Sequence, residues 1–138
     1  MRTPSGDSYS QDDMDIIQAE NGVLSGNARI EYSNVAVDGE YVCGFGKEGD
    51  SITFKYNAEK SGTYNILIRY AAFSEGMMQV LNVGEKYISL AYTYYNFGEF
   101  FTTEVNTVLQ AGENILTIEH LQGCDVLIDF IGISYIGE

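Results

Sequence analysis

Residues 51–56 read SITFKY and residues 63–70 read TYNILIRY. In the first, Ile52, Phe54 and Tyr56 alternate with Ser51, Thr53 and Lys55. In the second, Tyr64, Ile66, Ile68 and Tyr70 fall on one side. Successive side chains of a strand point to opposite faces, so a period of two gives each segment one apolar face to bury. Residues 57–62 form a loop that ends at Gly62. The two segments therefore read as half-buried strands in a sheet with one face on a core.

The same reading extends in both directions. Strands are expected over residues 15–20, 28–32, 41–45, 77–83, 86–90, 100–109, 114–120 and 126–135, with a hairpin around Gly84. Residues 21–26 read as a turn-rich connection, and residues 110–113 (QAGE) as a tight one. The result is about ten short strands and no helix, the pattern of a β-sandwich or barrel. Composition agrees: Tyr (11) and Phe (7) are abundant, Gly (15) punctuates short runs, and Pro (1) is nearly absent.

A length of 138 residues suits one domain. Residues 1–14 are polar and read as a linker end or a cloning remnant, leaving 15–138 as the folded module. That N-terminal stretch has no apolar h-region, so it does not read as a signal peptide. No apolar run reaches the length of a membrane span. The formal net charge of −13 makes nucleic acid and anionic membranes poor partners, since phosphate binding needs clustered Lys and Arg. Cys43 and Cys124 form no CxxC motif; they read as buried thiols, with a disulfide as the alternative.

Residues 16–20 read IIQAE. On a strand, Gln18 and Glu20 share a face, and an amide oxygen beside a carboxylate is half of a hard-cation site. Asp129, in VLIDFIGI, supplies another ligand if the first and last strands lie side by side. The bland alternative is a solvated strand face that binds nothing.

Residues 92–97 read YTYYNF, with Phe100 and Phe101 just beyond. Tyr94, Tyr95 and Phe97 beside Asn96 and Gly98 have loop composition, and loops on a rigid sandwich commonly carry binding function. Exposed aromatic rings give flat faces on which the C–H faces of sugars stack. The competing reading is that these rings cap one end of the core. Gly44, Gly46 and Gly49 match GxGxxG, but an alternating strand pattern follows where a dinucleotide site needs a helix. No GxSxG elbow accompanies the single histidine, His120. With twenty acids, some carboxylate pair is inevitable and identifies no glycosidase.

Taken together, IIQAENGVLSG, IEYS, GEYVCGFGKEGDSITFKYNAEKSGTYNILIRYA, VLQAGENILTIEHLQG and VLIDFIGI resemble carbohydrate-binding module family 35, and are also similar to family 6. The match runs from Ile16 to Ile136. The resemblance implies an all-β jelly-roll β-sandwich of two antiparallel sheets. It implies a structural calcium near the chain ends, held by Gln18, Glu20 and Asp129, with Glu31 as a further candidate. It implies a sugar site in the loops at one end of the sandwich, around Tyr41, Phe73, Tyr95, Asn96, Phe97, His120, Gln122 and Asp125. Tyr95 or Phe97 would stack, Tyr41 and Phe73 would form a wall, and Asn96, His120, Gln122 and Asp125 would bond hydroxyls.

Such modules are non-catalytic, secreted and covalently linked to an enzyme that they hold on polysaccharide. The expectation here is a monomer that binds mannan, galactomannan or another hemicellulose. Two departures stand out: the chain has no Trp where many relatives carry one near Tyr95, and it has Leu127 where relatives often carry Asn. The alternatives are uronic-acid recognition through a second calcium on Glu99, Asp125 or Asp38, a small hydrolase with His120 as base, and an adhesin-like domain.

Overall fold

The computed structural model describes residues 14–32, 39–44, 49–72, 76–81, 85–90, 101–122 and 126–137. These form eleven strands: β1 (Asp15–Gln18), β2 (Val23–Ser25), β3 (Arg29–Tyr32), β4 (Glu40–Cys43), β5 (Ser51–Ala58), β6 (Gly62–Ala72), β7 (Gly76–Leu81), β8 (Glu85–Leu90), β9 (Phe101–Leu109), β10 (Gly112–Gln122) and β11 (Val126–Gly137). One sheet runs β3-β4-β11-β6-β9, with β1 also on β11; the other runs β2-β5-β10-β7-β8. Every pairing is antiparallel. Only β3–β4 and β7–β8 are sequential neighbours within one sheet; the chain crosses between sheets at the other connections. This is the expected jelly-roll sandwich.

The alternation that defines β5 and β6 also defines the core. Ile52 and Phe54 meet Leu116 and Ile118 from one sheet, and Tyr64, Ile66, Ile68 and Tyr70 meet Val105, Ile128, Ile131 and Ile133 from the other. Thr53 and Thr117, opposite each other on the outer face, share a hydroxyl hydrogen bond of 3.0 Å. Most strand ends differ from the sequence reading by one or two residues, and three of the differences have a clear local cause. The first strand stops at Gln18, and a single 3-10 turn over Ala19–Asn21 follows because Ala19 must drop fully into the core. β2 occupies part of the segment read as a turn, since its exposed Val23 hides the alternation. β10 begins at Gly112, two residues early. There Asn114 organises the turn, accepting from the backbone N–H of Gln110 (3.1 Å) and donating to the carbonyls of Gln110 (2.8 Å) and Gly112 (3.0 Å).

The glycine-rich run before β5 carries no helix among the described residues. Gly44 has φ +93°, and a Cβ there would lie 2.1 Å from the Asn27 carbonyl oxygen, so the glycine serves a close backbone approach. Asp50 ties the same corner together: its carboxylate accepts from the Asn27 N–H at 2.9 Å, and its carbonyl accepts from His120 N–H at 2.8 Å.

At the other end of the sandwich Tyr56 donates to the Asp15 carboxylate at 2.6 Å, bridging the two sheets. Burial first, then this hydrogen bond and the Asp15 charge, push the Tyr56 hydroxyl well above its ordinary value of 10.0. A folded-state value above the unfolded one means that the native state holds the proton longer. Stability from this group is complete below pH 10 and declines as pH rises beyond it. Spectroscopic titration of the phenolates should find one tyrosine that ionises late, and Asp15→Asn should bring it down toward the ordinary value.

Candidate functional site

Strand ends fix where the candidate sugar loops lie. Ala72, Gly76, Leu90, Phe101, Gln122 and Val126 share one end of the sandwich, as the pairings Val126↔Ala72, Gly76↔Leu90 and Tyr70↔Phe101 require. The connections that carry Phe73, Tyr95, Asn96, Phe97 and Asp125 start and finish there. Those five residues, with Glu99 and Asp38, lie outside the described residues. Gln122 closes β10 opposite Met77 at the same end.

Two expected site residues are described with their side chains. Tyr41 is half-buried on the outer face of the six-stranded sheet, where it packs against Cys43, Ala71 and Leu127. Leu127 is 2 % exposed in this group. The leucine that departs from the family pattern thus belongs to a small apolar cluster, and at this spot β11 offers packing and no hydrogen-bonding side chain. His120 corrects the sequence reading. It continues the inward row of Leu116 and Ile118 and is 1 % exposed, so a sugar hydroxyl does not reach it. The same burial removes it as the base of a hydrolase acting on an external substrate. Strand parity was enough to find this, because His120 lies two residues beyond Ile118.

Three of the candidate metal ligands lie on β11 or on elements that pack against it. β1 pairs with Phe130–Ile133 and β4 with Ile128 along one edge of that strand. The juxtaposition of first and last strands is therefore as expected. Gln18 stands opposite Phe130, and its amide oxygen is buried with no hydrogen-bond donor. Both carboxylate oxygens of Glu20 are also buried, on the 3-10 turn that packs against β11 and β4.

Asp129 reaches this place through a β-bulge. Ile128 pairs with Tyr70 and Phe130 with Arg69, so Asp129 is the extra residue. The bulge shifts the strand's parity: Val126 and Ile128 face the core before it, Ile131 and Ile133 after it. Asp129 is fully buried, and Arg69 Nη1 donates to one of its oxygens at 2.5 Å.

The donor set is thus one amide and two carboxylates, with a single guanidinium nearby. No group of three or more His, Cys, Asp and Glu assembles among the described residues. Buried oxygen donors with excess negative charge suit a hard cation. Glu31 does not join them. It is exposed on edge strand β3, separated from β11 by β4, and pairs with Arg29 at 3.3 Å. The bulge, Arg69 and the Asp50 tie were missed from sequence. Arg69 alone carried a signal, as a charge inside an apolar strand run.

Removing one partner of a buried ion pair leaves the other uncompensated, at a cost of about 3–5 kcal/mol. Arg69→Met should lower the unfolding free energy on that scale in a urea titration, whereas Arg29→Met, at an exposed pair, should change it by less than about 1 kcal/mol.

A family model for a carbohydrate binding module (family 35) matches residues 16–133. No curated protein sequence matches the chain. Among solved structures, a Podospora anserina GH26-CBM35 β-(1,4)-mannanase is similar at 23 % identity and TM-score 0.79, over 93 % of this chain and 29 % of that one. A family 35 module from Clostridium thermocellum is similar at 21 % identity and TM-score 0.79, over 89 % and 98 %. The CBM35 of Cellvibrio japonicus Abf62 is similar at 17 % identity and TM-score 0.77, over 91 % and 94 %. At these identities the structures speak for the fold, and the family match extends over nearly the whole of that sandwich. The chain belongs to carbohydrate binding module family 35, a family of non-catalytic carbohydrate-binding modules.

Proposed function

We propose that this module binds a plant cell-wall polysaccharide of mannan, galactomannan or related hemicellulose type, and holds a covalently attached glycoside hydrolase or esterase on that substrate. The observation that carries the reading is the family 35 match across residues 16–133. The mannan preference draws on the similar module within a β-(1,4)-mannanase, of which this chain spans 29 %. The proposed ligand position is the end of the sandwich where β6, β8 and β10 finish, with Tyr41 on its flank and Tyr95, Asn96 and Phe97, from the sequence between β8 and β9, as proposed contacts. His120 has no part in it. Such a module works outside the cell as a monomer. No helix among the described residues is long and apolar enough to cross a membrane.

Uronic-acid recognition is the second reading. The formal charge of −13 favours it only if a second cation bridges protein and ligand. Affinity electrophoresis against galactomannan, glucomannan, xylan, pectin and glucuronan, with and without calcium, separates the two. Calcium-independent retardation by the mannans is expected. Retardation only by pectin or glucuronan, and only with calcium, would replace this reading with the second.

The structural cation belongs to the same proposal. Gln18, Glu20 and Asp129 would hold a calcium ion at the edge of β11, and the buried, donor-free amide oxygen of Gln18 supports it. A native-state ligand raises the melting temperature with the logarithm of its concentration. Chelation should therefore lower Tm, and Gln18→Leu should abolish the chelator's effect. An unchanged Tm together with no calcium in the purified protein would exclude the site.

A further inference from the structure

At the end of the sandwich remote from the candidate sugar loops lies a pocket of about 400 Å³. Its lining comes from both sheets, from β1 and β11 on one side and from the end of β5 on the other. Asp15 comes from β1, Tyr56 and Asn57 from the end of β5, Glu59 and Lys60 from the β5–β6 connection, and Tyr135 from β11. Its volume falls within the range of small-molecule sites, roughly 300–1,000 Å³.

The wall is a run of three tyrosines. Tyr64 meets Tyr56 edge-on at 6.2 Å and Tyr135 at 5.2 Å. Tyr64 is 3 % exposed and forms the back, its hydroxyl donating to the Lys60 carbonyl at 2.7 Å. Tyr56 and Tyr135 keep part of their surface open. The Tyr56 hydroxyl and Asp15 are fixed by their 2.6 Å hydrogen bond, and Lys60 Nζ is fixed 4.2 Å over the Tyr135 ring. Around these rings stand two carboxylates, an amide and an ammonium, with Asp15, Asn57, Glu59 and Lys60 all exposed.

Chemistry narrows the ligand. A phosphate or carboxylate site gathers donors of one sign, whereas here Asp15 and Glu59 would repel an anion. A bare cation would be repelled by the Lys60 ammonium and would find no third acid among the described lining residues. Carboxylate, amide and ammonium side by side, with half-open aromatic surface between, match a neutral ligand that presents adjacent hydroxyls and C–H faces. The Tyr56 proton is committed to Asp15, so toward a ligand its hydroxyl offers an acceptor oxygen.

We infer that the pocket between Asp15, Tyr56, Glu59, Lys60 and Tyr135 is a second saccharide site, which takes one or two neutral sugar units at the end of the module that bears both Asp15 and Gly137. It is separate in residues and position from the loop-end site proposed above and stands or falls independently of it. Two sites at opposite ends let one module grip two chains, or two stretches of one.

The test is residue-resolved. The full chain, labelled with nitrogen-15, is titrated with mannotriose, xylotriose and galactobiose to about 20 mM, enough to fill a millimolar site. Amides of Asn57, Glu59, Lys60 and Ser134 are expected to shift with at least one sugar. In the Glu59→Ala and Lys60→Ala variants the apparent affinity at these amides should fall by about tenfold, the loss of a charge-assisted hydrogen bond. Shifts near Tyr41 and Gln122 should persist in both variants if the loop-end site binds the same sugar. Silence at these four amides with all three sugars, or shifts that both variants leave unchanged, would overturn the inference. Nuclear Overhauser contacts from residues 1–13 to the Tyr56 and Tyr135 rings in the free protein would also overturn it, since the chain would then fill the pocket itself.

Discussion

A bulge in the last strand, held by a buried ion pair, sets the geometry on which much of this sandwich depends. β11 is the central strand of its sheet, with β6 on one edge and β1 and β4 in succession on the other. Without an extra residue its alternation would carry either Ile128 or Ile131 out of the core. Asp129 absorbs the mismatch, and the cost is a carboxylate with no access to water. Arg69 on β6 supplies the compensating charge across the ladder. Such a pair is rarely a net gain in stability, but losing half of it is expensive. The bulged residue directly precedes Phe130, the partner of Gln18, so the irregularity sits next to the register of β1 on β11.

The fold was legible because its strands obey a strict period of two over their buried portions. Ile52, Phe54, Tyr64, Ile66, Ile68 and Tyr70 announced their own positions, and the resemblance to family 35 supplied the two-sheet jelly-roll arrangement that periodicity cannot give. What escaped was irregular. β2 is short and half-exposed, and the 3-10 turn over Ala19–Asn21 departs from any repeat. The bulge leaves no trace in composition. At the candidate site, the pairing of the first strand with the last followed the expectation that joined Gln18 to Asp129. Glu31 was misplaced because pairing with Arg29 on an edge strand looks the same in sequence as pairing with a metal. His120 was read as a ligand contact although its parity with Ile118 placed it inside.

The two ends of the module differ in kind. At one end lie the connections that carry most of the candidate sugar residues, and Leu127, Ala71 and Cys43 form a buried apolar cluster beside Tyr41. At the other, the connections are short, tied by Asn114 and by the Ser61 hydroxyl, which accepts from the Ala111 N–H at 2.9 Å. Rings there are locked edge-to-face, and polar groups are already anchored to one another. Binding on such a surface loses little conformational entropy, which offsets a small contact area.

The order of strands has a consequence for biosynthesis. Of this module's strands β11 is the last to leave the ribosome, yet it occupies the centre of its sheet. Until it emerges, β6 and β9 have no link to β1, β3 and β4, and the nascent chain carries unpaired strand edges with their apolar faces uncovered. The sheet therefore cannot assemble in the order of synthesis, and closure waits for the final twelve-residue segment. A domain attached downstream would give β11 time to clear the exit tunnel and insert while the polypeptide is still tethered.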